Sequence, residues 1–478
     1  MDLDSGAGLL HRLTSYEPGR DWDVPVDHPL IRKDPVPNDP DVLPPPVKAY
    51  PEGLPRLALP RDLPAADVSA TGTLAGHTRQ QSPLDAAQLG RALFLSAGVV
   101  RTGMHRIGRV MFRAAGSAGG RFPLEMYAST RGIDGVPDGV HWYDPVGHAL
   151  TQIAPPAGGD ATTIVITGIP WRTAWRYSER GWRHLYWDCG TSLSQLIAAS
   201  DAAGLEPRLR TLFPDRMVSS LVGADGTHEY PLALLTFGDG TPAIEPGGDA
   251  AKGTLDEVEL PLCTQAQRAG DRDELGEPLP RGPRLVEAPS SESIDRVILR
   301  RGSQRRMDRT RTLPKETMEW SLAAAMRGID VPHWVVVHGV DDTEPGIYRW
   351  PNLATPIRSG DLRDELARVC LEQSLAAEAA FVVIGASAPE QLNDRTYRHA
   401  QLLAGLVEGR LHLAAYALDA SATGMTFYDS EVPGLLGESD DLVTLLFTCV
   451  GVPEYRSKPG GGPGAPVEVR TVIPRFTD

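Results

Sequence analysis

Cysteine is scarce in this 478-residue chain, and no two cysteines are close in sequence. The four are Cys189, Cys263, Cys370 and Cys449. This spacing excludes a zinc ribbon and a Cys-x-x-Cys redox pair. Nowhere do His, Cys, Asp and Glu cluster with the spacing of metal ligands. We therefore predict four reduced, buried thiols and no metal site.

Long apolar runs are also missing. No segment reaches the ~18 apolar residues of a membrane-spanning helix. The N-terminus is acidic and lacks the basic start and apolar core of a signal peptide. A net charge of -15 argues against a nucleic acid as the main partner, because phosphate contacts need a basic face. These absences predict a cytoplasmic protein that binds neither membranes nor nucleic acids.

What remains is an ordinary globular composition, with 41% hydrophobic and 23% charged residues. A chain of this length predicts two or three domains. Residues 1–65 form an extension rich in Pro, Asp and Arg. The prolines between residues 39 and 55 exclude a long helix or a central strand there. We expect residues 1–65 to run over a surface in extended form, or to be partly disordered.

The rest of the chain reads as two copies of one unit. The segment Glu-Arg-Gly-Trp-Arg-His at 179–184 is echoed by Asp-Arg-Thr-Tyr-Arg-His at 394–399. The corresponding predicted elements are strands 161–168 and 379–385, helices 185–203 and 400–420, and final strands 230–237 and 442–450. Tandem duplication predicts an internal pseudo-dimer. Its first half spans 66–240 and its second half 293–478, with a turn-rich linker at 241–292.

Cationic side chains and one hydroxyl are concentrated at residues 300–305, Arg-Arg-Gly-Ser-Gln-Arg. Such donors suit a phosphate group. The alternative is that residues 300–305 belong to an ordinary run of solvated charges, because further arginines follow as far as Arg311. The first half lacks this cluster but has a small-residue loop at 116–120, which the second half lacks. Small residues let a ligand approach the backbone closely, so two half-sites could make one whole site.

At these residues the chain resembles the FMN-dependent nitroreductase superfamily. Arg301-x-Ser303-x-Arg305 is similar to its phosphate motif, and Gly116-Ser117-Ala118-Gly119-Gly120 to its Pro-Ser-Ala-Gly-Gly loop. The stretch from Tyr177 to Gly190 is similar to the SagB-type branch. That branch contains the azoline dehydrogenases of thiazole/oxazole-modified peptide pathways.

The resemblance implies an α+β fold of two tandem nitroreductase-like domains, each with a mixed sheet covered by helices. It also implies FMN at the interface between the halves. The residues implied to bind FMN are Arg301, Ser303, Arg305, Gly116, Ser117, Ala118, Gly119, Arg456 and Lys458. The last two lie in a segment that looks like the superfamily's basic C-terminal segment. The first half has no cation in its equivalent of that segment, so we expect one FMN per chain.

The related dehydrogenases carry a Lys-Tyr pair where this chain has Arg176-Tyr177. Arginine stays protonated and cannot be a general base. Tyr177 could be the catalytic base if Arg176 and the flavin lower its pKa. Otherwise Arg176 orients the substrate, or it is a surface cation and Tyr177 a packing residue. His184 and His399 begin helices at parallel positions, which favours structural roles.

The resemblance implies oxidation of azolines to azoles in a modified peptide, with a cyclodehydratase complex as a partner. Two alternatives stay open. One is an NAD(P)H-dependent reductase of small nitro or quinone compounds, which would consume NAD(P)H. The other is a non-catalytic scaffold in a peptide-modifying complex, which would lack bound flavin. Further homo-oligomerisation also stays open.

Overall fold

The structure is a computed structural model that describes residues 1–20, 24–34, 37–66, 68–105, 108–290 and 292–470. The elements up to the end of the first half are α1 (Gly6–Thr14), β1 (Arg56–Ala58), α2 (Ala70–Leu74), α3 (Ala86–Ala97), β2 (Val99–His105), β3 (Gly108–Arg113), β4 (Leu124–Thr130), β5 (Gly139–Asp144), β6 (Ala149–Ala154), β7 (Thr163–Gly168), α4 (Pro170–Tyr177), α5 (Gly181–Ala202), β8 (Pro207–Arg210), α6 (Asp215–Val222) and β9 (Tyr230–Phe237). The remaining elements are α7 (Pro261–Ala269), α8 (Ile294–Arg300), α9 (Lys315–Ala325), β10 (His333–Val337), β11 (Gly346–Arg349), β12 (Arg358–Ser359), α10 (Arg363–Val369), α11 (Leu375–Glu378), β13 (Phe381–Ser387), α12 (Asp394–Ala417), β14 (Ser421–Met425), α13 (Val432–Leu436), β15 (Val443–Gly451) and β16 (Val467–Glu468). Short 3-10 turns lie at Pro40–Val42, Ala118–Gly120, Ser178–Arg180, Pro389–Gln391 and Asp429–Glu431.

The two halves have the same sheet topology. The first sheet has the order β1-β6-β5-β4-β7-β9-β8, and the second β12-β11-β10-β13-β15-β14. Apart from the extra edge strand β1, each strand of one sheet has a counterpart in the other. This confirms the predicted α+β fold of two tandem domains. All neighbouring strands of both sheets are antiparallel, so the expected mixed sheets are wrong in that detail. One reason is that a tight hairpin such as β5–β6 reverses the chain direction.

The halves meet where α5 crosses α12. A Cβ added at Gly190 would overlap the carbonyl oxygen of Leu402, and one at Gly405 would overlap that of Trp187. The contacts are reciprocal, because Leu402 and Trp187 each lie three residues before the glycine of their own helix. Reciprocal contacts of this kind are typical of an interface with two-fold symmetry. The glycines therefore let two buried helices cross with their backbones in contact, as an internal pseudo-dimer requires.

Residues 1–65 contain more structure than the sequence suggested. In α1, Ala7 and Leu10 are completely buried, and the helix packs against α7. The apolar residues of α1 recur at helical spacing and form one face. At the other end of this extension, β1 adds an edge strand to the first sheet by pairing with β6. The expectation of an extended or disordered surface segment is therefore wrong for α1.

The segment predicted as a linker also packs against the first half. Its helix α7 buries Leu262, Cys263 and Ala266. On the same helix, Gln267 accepts hydrogen bonds from Trp182 Nε1 at 3.2 Å and Tyr186 Oη at 2.9 Å, both on α5. Helix α7 is thus part of the folded core rather than of a free connection. The domain boundaries at 66–240 and 293–478 stay a proposal.

The C-terminal segment crosses back to the first half. β16 pairs in parallel with β2. The amide of Gly461 donates to the carbonyl oxygen of Val100 at 2.8 Å, and that of Gly460 to Leu299 at 2.8 Å. This crossing brings the basic C-terminal segment next to the end of α8, where the arginine cluster begins.

All four cysteines are buried and unpaired, as predicted. Across the described ranges, no helix has the length and apolar character needed to cross a membrane. Within the same ranges, no group of His, Cys, Asp and Glu could hold a metal ion.

Candidate functional site

Arg301 lies at the interface between the halves, immediately after α8. Its Nη2 donates to the carbonyl oxygen of Ala114 in the first half at 2.6 Å. Its Nη1 lies 3.3 Å from the position that a Cβ would take at Gly116. The side chain is 3% exposed, and its Nε has no hydrogen-bond partner among the described residues. Burial lowers the pKa of Arg301 to about 10, so the guanidinium stays charged at neutral pH. A buried cation with an unpaired donor suits an anionic ligand group.

The small-residue loop is held in place by Asp188 of α5. Ser117 Oγ donates to Asp188 Oδ2 at 2.5 Å, and the amide of Ala118 to Oδ1 at 3.0 Å. Ser117 Oγ also accepts a hydrogen bond from the amide of Phe122 at 2.8 Å. Burial raises the pKa of Asp188 to about 7, against the opposing effect of its two hydrogen bonds. Asp188 therefore titrates near neutral pH, and the hydroxyl of Ser117 serves the loop itself.

Gly119 connects this loop to the predicted catalytic pair. It has a φ of +58°, a conformation that favours glycine. A Cβ at this position would lie 2.6 Å from Arg176 Cδ and 3.0 Å from Tyr177 Oη. The fold thus brings Arg301 to Gly116 at one end of the loop, and Arg176 and Tyr177 to Gly119 at the other.

The half-buried ring of Tyr177 stacks on the buried ring of His184. The two rings are parallel, with centroids 4.2 Å apart and an interplanar angle of 17°. Burial raises the pKa of Tyr177, while Arg176 has the smaller, opposite effect. Burial, with help from nearby arginines, lowers the pKa of His184 well below its usual range. Both rings are therefore neutral at neutral pH, and the expected lowering of the pKa of Tyr177 by Arg176 is outweighed by burial.

The other predicted cofactor residues are exposed: Ser303, Arg305, Arg456 and Lys458. Backbone groups of two of these residues are bonded to side chains of neighbouring segments. The amide of Arg305 donates to Tyr455 Oη at 3.1 Å, and Arg101 Nε donates to the carbonyl oxygen of Lys458 at 3.1 Å. In the described part of the chain, no hydrogen bond joins the side chains of these four residues to the loop at 116–119. The structure therefore brings them to one edge of the site without side-chain contact.

Sequence reasoning missed a stripe of three residues on α12 that faces Arg301. Glu408 and His412 lie one turn apart, with Oε1 and Nε2 separated by 3.6 Å. One turn further on, Tyr416 Oη donates to the carbonyl oxygen of Gly302 at 3.0 Å. Glu408 opposes the lowering of the pKa of Arg301 by burial, and burial together with Arg301 lowers the pKa of His412. Their spacing of four residues on one helix face is the signal that could have found them.

The pseudo-two-fold symmetry of the halves relates the site at Gly302 to a second position at Gly76, and protein atoms fill this second position. Gly76 follows α2 as Gly302 follows α8, two residues after the helix ends. A Cβ at Gly76 would overlap the guanidinium of Arg327, whose Nη1 donates to the carbonyl oxygen of Leu74 at 2.8 Å. A Cβ at Gly328 would overlap the carbonyl oxygen of Pro280, in the segment between the halves. An arginine and a crossing segment thus occupy this second position.

No protein-family model matches the chain. A presumed nitroreductase of Methanocaldococcus jannaschii is 26% identical over 172 residues, which are 33% of this chain and 82% of that protein. The structure of a presumed nitroreductase from Anabaena variabilis superposes with a TM-score of 0.71 at 22% identity. It covers 94% of this chain and 100% of that one.

A third match is the Escherichia coli microcin synthetase McbBCD complex with its truncated pro-microcin bound. It is 19% identical and covers 34% of this chain and 66% of that chain, but its TM-score of 0.28 is too low to support an argument. The Anabaena structure matches both halves together, so the tandem arrangement is shared. This chain therefore has the nitroreductase-like fold in two tandem copies.

Proposed function

We propose that this chain binds one FMN between its halves and acts as an oxidoreductase. The observation that carries the proposal is the position of Arg301 against Gly116, a buried cation of one half beside a loop of small residues of the other. The unpaired Nε of Arg301 and the space at Gly116 both fit a flavin phosphate and its attached chain. Ser303, Arg305, Arg456 and Lys458 would supply further cationic and hydroxyl donors, and the loop at 116–119 would approach the cofactor through its backbone.

Bound FMN supplies hydride transfer, and the protein supplies position and charge. Arg176 is exposed and cationic, so it attracts and orients an acidic substrate. Tyr177 presents its hydroxyl beside Gly119. As a neutral phenol it donates a hydrogen bond to the substrate, and it accepts a proton only when ionised.

We propose further that the substrate is an azoline ring of a modified peptide, oxidised to an azole in a ribosomal peptide natural-product pathway. The peptide would be delivered by a cyclodehydratase complex. This finer assignment rests on the similarity of residues 177–190 to the SagB-type branch. Proton removal from the ring needs a base, so the raised pKa of Tyr177 predicts that this reaction quickens as pH rises.

A second candidate is an NAD(P)H-dependent reductase of nitro or quinone compounds. The neutral state of Tyr177 favours it, because reduction of these acceptors needs a proton donor rather than a base. The description of the relatives as presumed nitroreductases points the same way.

Anaerobic mixing of the purified protein with each reductant separates these functions. Loss of flavin absorbance on addition of an azoline peptide, with a product lacking two hydrogens, supports the dehydrogenase. Loss of absorbance with NAD(P)H and no reaction with the peptide supports the reductase. Protein that purifies without flavin and cannot take it up would contradict both and leave the scaffold.

A further inference from the structure

The N-terminal extension and the end of α4 enclose a cavity of about 80 Å³. Aliphatic side chains of the extension form much of its wall, among them Leu13, Val26 and Ile31. Facing them lie residues 176–180, including both members of the Arg176-Tyr177 pair. The cavity therefore adjoins the loop at 116–119 through Tyr177, on the side that the extension covers.

Arg180 lines this cavity and has one unpaired edge. Its Nη1 donates to the carbonyl oxygen of Thr14 at 2.8 Å and to Asp429 Oδ2 at 2.6 Å. Its Nε and Nη2 have no hydrogen-bond partner among the residues that the structure describes, although the side chain is 2% exposed. These two nitrogens form one edge of the guanidinium. Such an edge binds a carboxylate through two parallel hydrogen bonds.

The charges around the cavity favour an anion. Arg176 lines it together with Arg180, and a third arginine of the lining, Arg20, is paired with Glu17 at 3.9 Å. Asp429, the acid that binds Arg180, is shared with a fourth arginine, because Arg183 Nη1 donates to its Oδ1 at 2.7 Å. An acid, Glu179, also lines the cavity. Glu179 Oε1 accepts a hydrogen bond from the amide of Arg32 at 2.7 Å. A buried donor edge without an acceptor is costly, so a ligand that supplies one gains that energy on binding.

We propose that this cavity binds a carboxylate carried on an aliphatic group, with Arg180 as its bidentate partner. Carboxylate binding in this cavity is independent of the proposed function. Only the identification of this carboxylate as part of the substrate rests on that function. A peptide C-terminus and an Asp or Glu side chain share this chemistry. Because Tyr177 lines the same cavity and lies against Gly119, an anchored carboxylate places the adjacent part of the peptide beside the flavin loop.

The probes are N-acetyl-L-leucine and N-acetyl-L-leucinamide, which differ only in the carboxylate. Calorimetric titration of the full chain should show the acid binding about ten- to a hundredfold more tightly, the factor for a charge-assisted contact. N-Acetylglutamic acid α-amide carries its carboxylate on the side chain, so it separates a peptide C-terminus from an acidic side chain. If it binds as tightly as N-acetyl-L-leucine, an acidic side chain suffices. Equal binding of acid and amide, no binding of either, or tighter binding of inorganic phosphate would overturn the proposal.

The variant Arg180→Lys keeps a cation beside Asp429 but removes the planar fork, and should lose the preference for the acid. Arg183→Lys is the matched control. It lies on the same segment, shares Asp429 and donates from Nη2 to the carbonyl oxygen of His11 at 2.8 Å, so the preference should survive.

If Arg180→Lys does not fold, Val24→Trp provides an alternative test. Val24 lines the cavity but is 60% exposed, so a larger side chain fills the cavity without repacking the core. Retained preference for the acid in this variant would refute the inference. Flavin content and flavin reduction are measured in parallel. Acid binding without flavin refutes only the proposed function, and flavin without acid preference refutes only this inference.

Discussion

Arg301 of the second half donates a hydrogen bond to the carbonyl oxygen of Ala114 in the first half, across 2.6 Å. The two residues are 187 positions apart in sequence, and each adjoins one of the two motifs that the sequence divides between the halves. Neither half contains both motifs. A functional site therefore requires the two halves to associate as α5 and α12 do.

Replacing Arg301 by alanine should weaken FMN binding about ten- to a hundredfold, because a charge-assisted hydrogen bond contributes ~1.5–3 kcal/mol. Titration of the apoprotein with FMN, followed by quenching of flavin fluorescence, measures the affinity. Arg309→Ala is the control, since Arg309 is exposed and lies outside the motif. Equal affinities of the two variants would mean that residues 300–311 are only a solvated charge run.

Gly119→Ala should impair the site more than Gly120→Ala, although both glycines have positive φ. A Cβ at Gly119 would press on Arg176 and Tyr177, whereas nothing lies within 4 Å of one at Gly120. Both changes carry the backbone strain of roughly 1–2 kcal/mol for a left-handed residue. Only Gly119→Ala should also lower the rate of flavin reduction, by at least about tenfold, the cost of slight misplacement of a positioned group. Equal rates in the two variants would show that the contact with Gly119 has no functional role.

Asp188→Asn should remove a pH dependence of stability. The pKa of Asp188 is about 7 in the folded chain, against an ordinary value of about 3.9. Between these values the folded protein holds a proton that the unfolded chain has released, so stability falls as pH rises through this window and is constant above it.

Denaturant unfolding of wild type and Asp188→Asn measures the difference. Relative to the variant, the wild type should lose roughly 2–3 kcal/mol between about pH 5 and about pH 8, at 1.36 kcal/mol per pKa unit. Glu319→Gln, on the exposed face of α9, should follow the wild type. A constant difference between wild type and Asp188→Asn would contradict the raised pKa.

Tyr177→Phe should retain FMN and the fold but slow oxidation of an azoline peptide by about 10²–10⁴-fold, the usual cost of losing a positioned acid–base group. Because burial raises the pKa of Tyr177, the wild-type rate should climb with pH and the variant's rate should not. Anaerobic flavin reduction by substrate isolates this step. A variant that reacts at the wild-type rate would make Tyr177 a packing partner of His184, and the base would then be sought at Tyr428 or Lys458.

The sequence predicted the parts of the molecule that repeat. The similarity of residues 179–184 to 394–399 indicated a pair of corresponding helices. In the structure, α5 and α12 cross at their matching glycines, Gly190 and Gly405. The loop at 116–120 and the arginine cluster were identified as segments that belong together, and Arg301 does lie against Gly116.

Other features of the structure could not be predicted, because no local pattern in the sequence indicates them. The hydrogen bonds from Ser117 and Ala118 to Asp188 join a loop to a helix 70 or more residues away, with no periodic pattern. The filling of the second position depends on Arg327 and Leu74, which are 253 residues apart. The sequence of the nine-residue helix α1 has helical apolar spacing, but nothing in it indicates that the helix packs against α7.

The number of FMN molecules per chain tests the central claim most directly. Flavin released by denaturation is quantified against protein concentration. We predict one FMN per chain, because Arg301 and the loop at 116–120 build one site, while Arg327 and Pro280 fill its pseudo-equivalent. Two FMN per chain would contradict the complementary halves, and a chain that holds none after saturation with FMN would contradict the flavin site itself.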